Sequence, residues 1–193
     1  MSRSGNGILS AVVQVGAALV NALTSKDKGA AGHGARMGTG SGSSAGTLEL
    51  SPGQGAGEET IEIDPRSIRD LRVSYSPDRD GDPDAGEIIW TWVPYAERDG
   101  RGKDRPVLVI GRQSDDRVYA VKLTSKSHDH DRDYLSIGSG SWDREGRESW
   151  VDIDQLYSVH HRGMRREAAS LDRSRFDRVA SILTGRYGWR AVP

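Results

Sequence analysis

The sequence predicts a mainly β domain that ends in one α-helix and is preceded by an N-terminal helix and a disordered linker. Three observations carry this. Three apolar, β-branched runs, 86–95, 104–111 and 118–125, are separated by polar, turn-rich segments, which is the pattern of antiparallel strands. Near the end, Asp172 precedes a run to residue 183 in which Phe176, Val179, Ala180 and Leu183 share one helical face. Finally, 35% hydrophobic residues and 24 glycines in 193 positions are too little apolar matter and too much glycine for a chain packed throughout.

The formal net charge is −1, so nothing global attracts a polyanion and any nucleic-acid site has to be a local patch. Cysteine is absent, which excludes disulfides, thiol catalysis and thiolate metal sites and fits a cytoplasmic setting. No apolar run reaches about 18 residues, so no ordinary membrane span is expected.

Residues 1–28 are the first expected segment. Ile8, Val12, Val15, Leu19 and Leu23 recur at helical spacing over 8–23, with Ser10, Gln14 and Asn21 as a thin polar stripe. A docking or self-associating helix fits this, and so does a signal peptide with Arg3 at its front. A membrane-surface anchor is disfavoured, because the polar stripe carries no Lys or Arg. Residues 29–57 are Gly, Ser and Ala with almost no large apolar side chain. Such a segment cannot offset its ordering entropy by burial, so a flexible, disordered linker is expected.

Residues 58–83 read as a short arm packed on the domain. Residues 60–63 alternate like a strand, Asp64-Pro65 offers an N-cap followed by proline, and Ile68 and Leu71 suit one or two helical turns. The aspartate-rich stretch 76–87 resembles a calcium loop only superficially. Pro83 stands where the sharp turn needs glycine, and Ile89 where a bidentate glutamate belongs, so a solvated turn is expected and no metal.

The domain proper spans 84–193. After the three strands, residues 128–133 alternate His and Asp; the segment reads as an exposed charged loop, or as the source of a general acid or base at His128 or His130. A short strand is expected at 134–137, a glycine-rich loop at 139–147, and one strand bent near Asp154 over 149–159. His160, His161 and Arg162 form a polar turn. Leu171 can staple onto Phe176 at the start of the terminal helix, and Gly185 is expected to end it. Tyr187 and Trp189, in the tail, are placed to pack back on the domain.

Charge chemistry concentrates at the polar breaks. Arg105 follows a loop carrying Arg98, Arg101 and Lys103, and Thr124 and Ser125 stand where the third strand stops. A guanidinium grips phosphate oxygens with two parallel hydrogen bonds, and a hydroxyl nearby can donate or accept a proton. The plainer alternatives are that Arg105 pairs with Asp104 or Asp99, that Thr124 is an ordinary strand residue, and that Trp90 and Trp92 are core rather than stacking platforms.

From Gly86 to about Leu183 the chain resembles the MazF/PemK (Kid) toxins of bacterial type II toxin–antitoxin systems. Gly86-Glu87-Ile88 is similar to the opening of their first strand, and Arg105-Pro106-Val107-Leu108-Val109 to their Arg-Pro strand. Thr124-Ser125 is similar to the end of their third strand, Asp154-Gln155 to the pair before their last strand, and 171–183 to their terminal helix. The resemblance implies a small SH3-like β-barrel with a C-terminal helix, usually a homodimer. It also implies a cofactor-free, metal-independent endoribonuclease acting on single-stranded RNA and held by a cognate antitoxin. Arg105 and Thr124 match the family's catalytic arginine and threonine. Arg98, Arg101, Lys103 and Ser125 would meet RNA phosphates, and Trp90, Trp92 or Tyr95 could stack bases. Asp152 departs from the pattern, standing where the PemK/Kid branch carries arginine. Two other readings stay open: a binding module for RNA or protein that has lost the chemistry, and a gyrase-directed toxin of the CcdB kind.

Overall fold

Residues 107–110 are apolar at every position, and every one of their side chains is fully buried. A strand built this way has to be covered on both faces, and the domain is arranged around it. The computed structural model describes residues 50–78, 81–97 and 99–192. The helix expected over 8–23, the linker up to residue 49, and Arg98 lie outside the described residues.

The strands run β1 (Ile61–Ile63), β2 (Arg72–Val73), β3 (Glu87–Pro94), β4 (Gly102–Arg112), β5 (Arg117–Thr124), β6 (Tyr134–Gly138), β7 (Ser149–Asp152), β8 (Leu156–His160) and β9 (Arg165–Ser170). The helix α1 (Arg173–Tyr187) and a last short strand, β10 (Arg190–Ala191), follow. The main sheet has the order β1-β8-β5-β4-β3-β9, with β7 joining the far end of β5 and β6 pairing with β7. Its pairs are antiparallel; β10 lies parallel to β2 in a separate two-stranded sheet.

One face of the central strands presents Ile88, Leu108, Ile110, Val121 and Leu123, which pack in one cluster with Phe176, Val179 and Leu183 of α1. The other face presents Ile89, Val93, Val107, Val109, Val118 and Ala120, joined by Tyr157 and Val159 of β8. The helix starts where expected: Asp172 accepts from the Arg175 backbone N–H at 3.0 Å, and Leu171 and Phe176 share the core cluster. It does not stop at Gly185. It continues to Tyr187 and is capped by Gly188, whose φ of 73° is left-handed. The tail packs back as anticipated: Trp189 is buried and donates to Ile68 O at 2.7 Å, and the Tyr187 hydroxyl donates to Ile153 O at 2.8 Å.

The segment before β1 is stitched to β3. The Thr91 hydroxyl donates to Gly163 O at 2.6 Å, so the Thr60 hydroxyl, also 2.6 Å away, must be the donor to Thr91. Gly53 sits against this pair with φ +84°, and a Cβ there would lie 2.3 Å from the Thr91 hydroxyl. The Trp92 N–H donates to Pro52 O at 2.8 Å. The packed segment therefore reaches back to residues 52 and 53, ahead of residue 58. In this way β1, hydrogen-bonded to β8 at one end of the sheet path, is also tied to β3 near the other.

Two further expectations needed correction. The single bent strand over 149–159 is two strands, because Asp152 accepts from the Asp154 N–H at 3.1 Å and turns the chain between them. After Asp64-Pro65 there is one 3-10 turn, Pro65–Ser67, and the chain then enters β2, with Leu71 and Val73 buried.

Candidate active site

The site begins where two neighbouring strands part. β4 and β5 pair from Arg112↔Val118 to Val107↔Lys122, with a bulge between Val109 and Gly111 after which the register holds. Two residues further, the same register would set Arg105 opposite Thr124. There, however, β5 pairs on its other side with β7, Thr124 lying opposite Trp150, while Arg105 stays with Thr91 of β3. The opening becomes a cleft of about 600 Å³ lined by Arg105, Thr124, Ser125 and Lys103, with Trp90, Pro106 and Leu123 among its apolar lining. Two residues distant in sequence, expected to act together, thus meet at one cavity.

Their side chains are available. Arg105 has no side-chain hydrogen bond or ion pair among the described residues; the carboxylates that were its candidate partners are engaged elsewhere. Asp104 accepts from Arg165 at 3.0 Å, and Asp99 from Arg101 at 2.6 Å. The Thr124 oxygen accepts the Lys126 backbone N–H at 3.2 Å, which leaves its O–H proton free to donate into the cleft. Lys103, Ser125 and Lys126 are exposed at the rim.

The cleft is walled by residues that the sequence did not single out. From β9 come Arg165 and Glu167, and from the loop between β6 and β7 come Trp142, Asp143, Arg144, Glu145 and Arg147. That loop is anchored. Trp142 is buried and donates to the Ser149 hydroxyl at 2.9 Å. Asp143 accepts from Arg147 at 2.9 Å and from the Glu145 N–H at 2.9 Å. Burial pushes the Asp143 carboxyl up, but the Arg147 and Glu145 hydrogen bonds outweigh it and hold it below the ordinary value. Arg165 is held above its usual value despite burial, by hydrogen bonds to Asp104 and Glu167. One signal could have pointed to this wall: a tryptophan amid arginines in an otherwise glycine- and serine-rich loop.

Other expected site residues lie off the cleft. Arg101 is tied to Asp99, Trp92 packs over Gly102, and Tyr95 is half-buried with its N–H donating to Arg101 O. His128 stacks on Tyr134 with ring centroids 3.4 Å apart and pairs with Asp131 at 3.3 Å; His130 is exposed. Neither histidine lines the cleft. Trp90 does, and its indole Nε1 is buried without a partner, as is Asp104 Oδ1 across the strand pair. Asp152, the departure from the family pattern, is buried and pairs with Lys122 at 3.1 Å, away from the cleft lining. Its charge is therefore neutralised inside the sheet.

Comparison with known proteins follows this geometry. The family model for PemK-like, MazF-like toxins of type II toxin–antitoxin systems matches residues 84–185, a span that includes the cleft. No curated protein sequence matches the chain. Similar solved structures include a MazE–MazF crystal structure (form II) from Deinococcus radiodurans, 20% identical, covering 55% of this chain and 96% of that one, TM-score 0.43. MazF alone (form I) from the same organism is 20% identical, over 55% and 97% of the two chains, TM-score 0.41. An endoribonuclease in complex with its cognate antitoxin, from a mycobacterial species, is 14% identical over 55% and 95%, TM-score 0.43.

Proposed function

The chain belongs to the PemK-like, MazF-like toxins of type II toxin–antitoxin systems, and we propose that its cleft cuts single-stranded RNA by a metal-independent transesterification. The observation that carries this reading is the pairing of an unpartnered Arg105 with a proton-donating Thr124 in one cleft. In the reaction, the 2′-oxygen attacks the adjacent phosphorus and the P–O2′ bond forms as the P–O5′ bond breaks. The 2′-hydroxyl proton passes to water, the departing 5′-oxygen takes a proton from water, and the products are a cyclic phosphate and a free 5′-hydroxyl. Negative charge gathers on the non-bridging oxygens in the transition state. Arg105 is placed to neutralise it with two parallel hydrogen bonds, and Thr124 O–H to donate to the same phosphoryl group or to the leaving oxygen.

Among the described residues no histidine lines the cleft. The reading therefore assigns most of the rate to electrostatic stabilisation and alignment. Lys103 and Ser125 serve the flanking backbone, and of the three expected stacking residues Trp90, which lines the cleft, takes the role. The family supports a cognate antitoxin as partner, and we propose that the chain works as a homodimer in the cytoplasm. No helix among the described residues is long and apolar enough to cross a membrane.

The test is to incubate the full chain with a long single-stranded RNA in EDTA and to map the ends. Discrete cuts with 5′-hydroxyl and cyclic-phosphate ends are expected. A folded sample that leaves the RNA intact would overturn the reading in favour of a binding module.

A further inference from the structure

The cleft's charges divide into two sets. Among the described residues each lining carboxylate is engaged: Asp104 and Glu167 by Arg165, at 3.0 and 3.2 Å, and Asp143 and Glu145 by Arg147, at 2.9 and 3.2 Å. Each of those two arginines offsets one of the two carboxylates it holds, which leaves two negative charges on the walls. Lys103, Arg105, Lys126 and Arg144 line the same cleft with no side-chain ion pair or hydrogen bond among the described residues. A chain with net charge −1 thus carries, in one cavity, a surplus of free cations. Such a surplus attracts phosphates locally where the molecule as a whole does not.

Arg144 is the informative member, because it belongs to the loop between β6 and β7 and not to the strands that carry Arg105 and Thr124. A long side chain in a glycine-rich loop would ordinarily cost entropy to position. Here the backbone on either side is already fixed. Trp142 is buried two residues before it, and Asp143 accepts from Glu145 and Arg147 just after it. The Ser136 hydroxyl ties down Glu148 at the loop's far end. Arg144 is therefore an exposed guanidinium on an anchored loop, lining the cavity that also holds Arg105.

We infer that Arg144, with Lys126 beside Thr124, takes a phosphate neighbouring the scissile one, so that the 139–148 loop fixes the RNA strand in the cleft. This deepens the ribonuclease reading and rests on it. It also sets a substrate requirement: the loop acts only on strands that carry a phosphate beyond the one attacked.

The experiment measures binding without cleavage, using the full chain and a single-stranded oligonucleotide blocked by 2′-O-methyl groups, across a salt series. Each phosphate neutralised on a single strand contributes about 0.7 to the salt slope. Arg144→Ala should therefore lower the slope by about 0.7, so its affinity deficit narrows about 2.6-fold between 50 and 200 mM salt. Arg144→Lys should keep most of the slope. On a dinucleotide, which has only the scissile phosphate, Arg144→Ala should lose much less kcat/KM than it does on longer RNA. Arg144→Ala that parallels wild type in slope, with wild type still cutting RNA, would overturn this inference alone and leave the loop to a protein partner. Wild type with no salt-dependent RNA binding would remove the ribonuclease reading, and the inference with it.

Discussion

Replacing Asp152 by alanine should unfold the domain early without touching the chemistry. Asp152 Oδ2 lies 3.1 Å from Lys122 Nζ, and the two side chains are 4% and 18% exposed. Breaking a buried pair by removing one partner costs roughly 3–5 kcal/mol, because the other charge is left uncompensated. Lys122 keeps Gln155 as an acceptor at 2.6 Å and some access to water, which argues for the lower end. A loss of about 3 kcal/mol lowers Tm by about 6–12 °C in a protein of this size. Asp152→Asn keeps an acceptor for the Asp154 N–H and should lose less. The double variant Lys122→Met/Asp152→Leu should recover most of the loss, since apolar replacements of buried ion pairs are often neutral. Thermal and urea unfolding of wild type, Lys122→Met, Asp152→Leu and the double variant give the cycle, with Asp152→Ala and Asp152→Asn measured beside them, and RNA cleavage per folded molecule should stay at the wild-type value below the transition. A single variant within about 1 kcal/mol of wild type, or a double variant no better than Asp152→Ala, would refute the buried-pair account. A fall in cleavage without a fall in stability would put Asp152 back into the site.

Two other perturbations probe the walls and the pH response. A Cβ on Gly140 would lie 2.1 Å from the Trp142 ring, so Gly140→Ala must displace a buried indole. Overpacking of this kind costs roughly 1–3 kcal/mol, and it should shift the tryptophan emission and weaken RNA binding; wild-type stability and emission would contradict it. His161, with Nε2 buried and unpartnered, is held below its ordinary value of 6.5 mainly by burial, with Arg112 and His160 acting the same way against Asp82 and Asp116. The unfolded chain therefore binds more protons below 6.5, and stability falls as pH drops from there toward the folded pKa. Relative to wild type, His161→Gln should flatten urea midpoints across that window, and parallel pH profiles would refute the assignment.

The legible parts of the chain were those whose side chains alone decide their structure. β3, β4 and β5 are apolar at successive or alternate positions, so their burial follows directly from the sequence. β9 was not legible, because Arg165, Glu167 and Ala168 are exposed on an edge strand held by its backbone pairing to β3. The short β2 and β10 pair depends on Trp189 reaching Ile68 across the domain, which no local pattern encodes. Gly185 looked like a stop, yet interior glycine costs only about 1 kcal/mol relative to alanine. Leu183, buried before it, and Tyr187, bonded to Ile153 after it, carry the helix through.

The site divides in the same way. Arg105 and Thr124 stood out because the residues flanking each match a family pattern in order. The opposite wall did not: Arg165 meets Asp104 only through the fold, and the local Arg165–Glu167 and Arg147–Asp143 pairs read in sequence as ordinary surface charges. His128 attracted notice as a titratable group near Thr124, but stacking on Tyr134 turns it to a different neighbourhood.

The central claim is that Arg105 and Thr124 act on one phosphodiester, and single-turnover cleavage of one defined RNA in EDTA tests it most directly. Arg105→Ala, Thr124→Ala and the double variant would be compared with wild type, each checked for folding. Removing one preorganised donor at a transition-state charge typically costs about 10²–10³ in rate. The account predicts losses of that order in each single variant and a double loss well short of their product, because both groups serve the same transition state. Cleavage within a few-fold of wild type in either single variant would contradict it.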